Sequence, residues 1–134
     1  MNGELQRVLD DLLAIKGVMA AAVVDVAGEV LATAEHEAPS FASAGGLVAA
    51  ALSASRVLGG FLGGGLEQAV IEYRGGPVVL TPVPRTPGST DPGEVQVVLT
   101  LRLATLADLG RVRFQLPQMV SRVAAASRRD ARAQ

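Results

Sequence analysis

The chain has 134 residues, of which 49% are apolar, 19% charged and 3% aromatic, with one histidine and no cysteine. That length fits a single domain with an aliphatic core, and the lack of cysteine excludes disulfides, thiolate catalysis and cysteine-based zinc sites. A net charge of −1 draws the protein toward neither nucleic acid nor acidic lipid, although residues 1–37 hold seven acids against two bases and residues 102–134 hold seven arginines against two acids.

The opening stretch MNGELQRVLDD is acidic and amphipathic, without the basic start and apolar middle of a signal peptide, so a cytoplasmic protein is expected. Leu5, Val8, Leu9, Leu12 and Leu13 recur at helical spacing and predict helix 1 over about 3–16. Asn2 is its expected N-cap and Gly17 its stop. Met19–Asp25 is a short apolar run, the Val26-Ala27-Gly28 segment a tight turn, and Glu29–Glu35 an alternating, edge-like second strand.

Helix 2 is predicted over about 40–62, between Pro39-Ser40 and the glycines at 63–65. Of the 27 residues from Ser40 to Leu66 only Arg56 is charged, and 17 are Gly, Ala or Ser. The length suggests a membrane span, but Arg56 in the middle and seven glycines argue against one. At about 100° per residue, Ala44, Leu47, Val48, Ala51, Ser55, Leu58 and Leu62 form one stripe, expected to lie on the sheet. The opposite side carries Ala42, Gly46, Ala49, Ala50, Ser53, Arg56, Val57 and Gly60. An exposed helical Gly costs about 1 kcal/mol relative to Ala, so this small-residue face is expected to be covered, and close helix approach makes a second copy the expected cover.

Strands follow at Glu67–Tyr73, Val78–Val83 and Glu94–Leu101. The first two are joined by the turn Arg74-Gly75-Gly76-Pro77, and the last two by an exposed Pro-rich loop at 84–93. Leu109, Val112, Leu116, Met119, Val120 and Val123 mark helix 3, in which Pro117 is expected to cause a kink. One domain spans 1–127, followed by a polar, frayed tail at 128–134. The predicted class is therefore α+β, in the order α-β-β-α-β-β-β-α. Short turns make the strand pairs antiparallel, and strands apolar on both sides place helix 2 on one face of the sheet and helices 1 and 3 on the other.

No active site is visible. His36 lies between Glu35 and Glu37 without further metal ligands nearby. The glycines at 59–60 and 63–65 end a helix and no Lys follows, unlike a phosphate-binding loop. Ser53 and Ser55 have no neighbouring base, and three Phe with one Tyr are too few for a nucleic-acid surface. No cofactor, metal or catalytic residue is expected.

The pieces LQRVLDDLLAIKGVMAAAVVDVAGEVLA, VIEYRGGPVVLTPV and ADLGRVRFQL, with Gly17-Val18, Asp25, Gly28 and the Leu109, Gly110, Arg113 pattern, together resemble the roadblock / dynein light chain family, including its bacterial MglB-like members. The resemblance covers about residues 4–125. It implies a five-stranded antiparallel sheet in a roadblock, profilin-like fold, and a dimer built on helix 2 and strand 3. The implied interface residues are Gly46, Ala49, Ala50, Ser53, Val57, Gly60, Gln68, Val70 and Glu72. It also implies a non-enzymatic regulator that binds a small Ras-like GTPase, with Arg56, Arg74 and Arg85 as candidate contacts. A pure scaffold is the alternative, and a ligand-binding module similar to profilin-like sensory domains a third reading.

Overall fold

A computed structural model describes residues 3–86, 88–89 and 91–133. Asn2, the expected cap of the first helix, and Pro87 and Thr90 of the Pro-rich loop lie outside the described residues. The order is α1 (Gly3–Leu13), β1 (Val18–Asp25), β2 (Val30–Glu35), a 3₁₀ turn (Phe41–Ser43), α2 (Gly45–Phe61), β3 (Ala69–Tyr73), β4 (Gly76–Pro84), β5 (Val95–Leu103) and α3 (Leu109–Ala133). The strands form one sheet in the order β2-β1-β5-β4-β3, every neighbouring pair antiparallel. The predicted class and layering hold.

Helix α1 buries Leu5, Val8, Leu9 and Leu12, the stripe expected from their spacing. These side chains join Val23 of β1, Val79 of β4 and Leu99 and Leu101 of β5, and the α3 residues Val112, Leu116, Met119 and Val123, in one apolar layer. The other face is smaller. Val48 and Leu52 of α2 meet Ala22, Val24, Leu80 and Val98 there. Residues Ala20–Val24 of β1 are fully buried because helices press on both sides of the sheet, which favours small side chains at three of those five positions.

The β1–β2 turn is built by Asp25, whose carboxylate accepts from the amides of Ala27 and Glu29, each at 2.9 Å. Gly28 follows at φ 95°, a left-handed conformation that suits glycine. Its carbonyl lies so close to Gly45 that a Cβ there would collide with it. That contact sets where α2 begins and how it is rotated.

Helix α3 runs unbroken through Pro117 to Ala133, into the 128–134 stretch expected to form a tail. Pro117 faces solvent, so the Arg113 carbonyl that loses its helical donor can be hydrated. The uneven charge along the chain is used within the fold. Arg122 pairs with Asp11 at 2.8 Å and Arg129 with Glu4, so the basic last helix is laced to the acidic first one. Each is a surface pair of about 0.2–1 kcal/mol. Arg128 donates to the Arg85 carbonyl at 3.1 Å.

Candidate interaction surface

Helix α2 buries only Gly45, Val48 and Leu52. The stripe expected to meet the sheet is corrected here: Leu47 is 76% exposed, Leu58 58% and Leu62 73%, whereas Leu52, which the spacing had not singled out, is 2% exposed. The cause is the start of the helix. Gly45 packs against the Gly28 backbone, so the line 45-48-52 turns inward and the larger leucines turn out. Val57 and Phe61 are exposed as well, Phe61 at 84%. Leu47, Ala50, Ala54, Val57 and Phe61 fall at alternating steps of three and four, the spacing of a helix-packing seam. The outer face of α2 is thus more apolar than a surface of small residues alone. Large exposed apolar patches of this kind mark interaction sites.

Of the residues implied as an interface, Gly46, Ala50, Ser53, Val57, Gly60 and Glu72 are exposed, and Ala49, Gln68 and Val70 are half-buried. Sequence reasoning missed Leu47, Ala54, Leu58, Phe61 and Leu62 as outward residues. The contact between Gly28 and Gly45 would have revealed them, but it is tertiary.

The sheet has two edges, and they differ. At β2, Gln6 of α1 donates through Nε2 to the Thr33 carbonyl at 3.1 Å. The His36 amide bonds the Met19 carbonyl on the β1 side, so by alternation Thr33 turns its backbone outward; Gln6 therefore occupies an acceptor that an added strand would need. At the other edge, β4 outruns β3, and its overhang contains Pro82 and Pro84, which have no amide hydrogen to offer a neighbour.

Strand β3 has neither protection along its length. The Ala104 amide bonds the Gly17 carbonyl on the β1 side, so Leu101 and Leu99 turn toward β4 and their partners Val79 and Thr81 toward β5. Val78 and Leu80 then bond Ile71 and Ala69. The backbone groups of Val70 and Glu72 are left pointing to the open side. The side chain of Val70 joins the α1/α3 layer and that of Ala69 the α2 layer, so Gln68, Val70 and Glu72 share the α3 face, and Ile71 and Tyr73 the α2 face. Gln68 is held there: Arg113 donates through Nε to its Oε1 at 2.9 Å, and its Nε2 donates to Thr81 Oγ1 at 3.4 Å.

The three candidate arginines are dispersed. Arg56 is half-buried on α2 and lines a groove of about 740 Å³ with Gly60, Leu66, Glu67, Pro82 and Asp91. Arg74 sits exposed in the β3–β4 turn, and Arg85 is exposed at the end of β4, its amide bonding the Glu94 carbonyl at 2.7 Å. His36 Nε2 lies 2.8 Å from the Leu13 carbonyl oxygen and caps the last turn of α1. Among the described residues no group of three or more His, Asp or Glu could hold a metal ion, and no helix is long and apolar enough to cross a membrane. Asp108 opens α3: its carboxylate accepts from the Thr105 hydroxyl at 2.9 Å, the Thr105 amide at 3.0 Å and Arg111 at 3.1 Å. The Thr105 hydroxyl first, then its amide and the Arg111 guanidinium, hold this carboxyl below its ordinary value against the opposing effect of burial.

Among the described residues, then, a bare edge strand lies beside an apolar helix face. The chain belongs to the Roadblock/LC7 domain family, whose model matches residues 4–86. Its fold is similar to that of a protein described as MglB with tetrameric arrangement, at 20% identity and a TM-score of 0.78, covering 96% of this chain and 90% of that one. It is also similar to the gliding protein MglB from Thermus thermophilus, at 19% identity and a TM-score of 0.77 over 96% and 91%. For Myxococcus xanthus MglB the values are 20% and 0.75 over 92% and 94%. No curated protein matches the chain.

Proposed function

We propose that this protein is a dimeric, non-enzymatic regulator or adaptor that binds a small Ras-like GTPase in the cytoplasm. The observation that carries the reading is the unprotected β3 edge lying beside the exposed apolar face of α2. A second copy related by a two-fold axis perpendicular to the sheet pairs β3 with β3 and puts both α2 helices on the same face. The paired α2 helices then form one apolar surface, part of it buried between the copies and part open to a GTPase.

An arginine finger must project into another protein's active site. Arg56 is half-buried, which favours a regulator that repositions the GTPase's own groups, or an effector platform, over a finger at that position. Arg74 and Arg85 remain exposed candidates for GTPase contact.

The test mixes the purified protein with the small GTPase encoded nearest to it and follows co-elution and GTP hydrolysis. Co-elution selective for one nucleotide state is expected. Failure to bind in any nucleotide state removes the GTPase reading, and binding indifferent to nucleotide turns it into a scaffold.

A further inference from the structure

Glu72 and Arg113 lie on the same face of the same edge, and neither has an ion pair among the described residues. Glu72 is exposed and has no ion pair among the described residues. Arg113 is exposed, and among the described residues its one side-chain bond runs from Nε to Gln68, with no partner at either Nη group. Gln68, in turn bonded to Thr81 of β4, holds the guanidinium beside the start of β3.

Two-fold pairing of β3 with itself must be antiparallel, and outward-facing backbone groups must meet. Centring the axis on an interior residue of β3 gives three registers. Centred on Glu72, two carboxylates oppose each other directly, which is unfavourable. Centred on Ile71, Val70 of one copy faces Glu72 of the other, and Ile71 faces its own copy. Centred on Val70, the partner's Glu72 faces Gln68. Because the axis is perpendicular to the sheet, Glu72 stays on the α3 face in both copies. In either allowed register the partner's Glu72 therefore lies opposite or diagonal to Gln68, within about 8 Å across the strands. That is where Arg113 waits.

We propose that Arg113 forms an ion pair with Glu72 of a second copy, twice per dimer, and so ties the joined β3 strands together on the α3 face. The proposal rests on the dimer proposed above. It gives Arg113, the arginine of the Leu-Gly-x-x-Arg pattern at the head of α3, the work of a positioning residue for the interface.

The test is a charge swap divided between two chains. Arg113→Glu alone and Glu72→Arg alone each place like charges together twice per homodimer, and each raises the dimer dissociation constant about tenfold in sedimentation. A mixture of the two variants forms a heterodimer in which both contacts again join opposite charges, with an affinity near that of the wild type. An attraction confined within one chain would not be rescued by mixing. Both sites are exposed, so folding is checked by circular dichroism. Glu72→Gln supplies a milder variant whose dimer is weaker at low salt and indistinguishable from the wild type at 1 M salt, where the screening length is about 3 Å. Homodimers unmoved by either reversal, with no preference for the heterodimer, overturn the pair and leave the dimer standing. A wild type that stays monomeric at every concentration overturns both.

Discussion

The rotation of α2 is the feature on which the interaction surface depends, and Leu52 and Leu58 test it against each other. Leu52 is 2% exposed and Leu58 58%. Leu52→Ala removes three buried carbons at about 0.8 kcal/mol each. It also leaves a cavity between Val48, Val98 and Leu80, in a layer with few other large side chains, so the loss should come to about 3 kcal/mol. With a urea slope of about 2 kcal/mol per molar, the unfolding midpoint falls by about 1.5 M. Leu58→Ala should lower it by no more than about a quarter of that while weakening self-association. Both variants are compared with the wild type at one fixed chain concentration, because a dimer's apparent stability depends on it. Equal losses at the two positions would mean that α2 presents the Leu47, Leu58 and Leu62 line to the sheet, and the account of its outer face would fail.

Three other outcomes follow from named contacts. Gly45→Val drives a side chain into the Gly28 carbonyl and should cost about 3 kcal/mol or more in chemical denaturation; a variant as stable as the wild type would show that α2 does not begin against that turn. Gln6→Ala frees the Thr33 carbonyl on the β2 edge. Larger assemblies should then appear in light scattering, and an unchanged mass distribution would show that Gln6 does not guard the edge. Asp108 has its carboxyl lowered by Thr105 and Arg111. Its contribution is therefore complete above the ordinary carboxylate range and is lost as pH falls through the lower folded value. Asp108→Asn should flatten that acidic limb of the stability curve, and an identical acid profile for variant and wild type would refute the role.

Much of this organisation is legible in the chain. Leu5, Val8, Leu9 and Leu12 stand at helical spacing, so α1 shows its buried face directly. The Asp25-to-Gly28 turn and the glycines at 75–76 mark the hairpins, and the strands apolar on both sides announce a sheet between helices. The rotation of α2 is not legible, because its repeated Ala, Gly and Ser flatten the periodicity. The residue that decides its phase, Gly45, has no side chain and acts by approaching Gly28. The asymmetry of the two edges is hidden for a related reason. Gln6 and Thr33 are an ordinary helix residue and an ordinary strand residue until the fold brings them to 3.1 Å. The pairing of acidic α1 with basic α3 is likewise hidden until Arg129 reaches Glu4 in the same chain.

The central claim is that β3 joins a second copy through its outward backbone. Val70 tests it most directly, because its amide points to the open side and bonds nothing within its own sheet. Val70→Pro deletes that donor and spares the bonds of Ala69 and Ile71 to β4. The measurement is the sedimentation-equilibrium mass of wild type and variant side by side. The wild type should sediment at twice 13.7 kDa and a folded Val70→Pro chain at 13.7 kDa; a variant that remains as dimeric as the wild type would contradict β3 pairing.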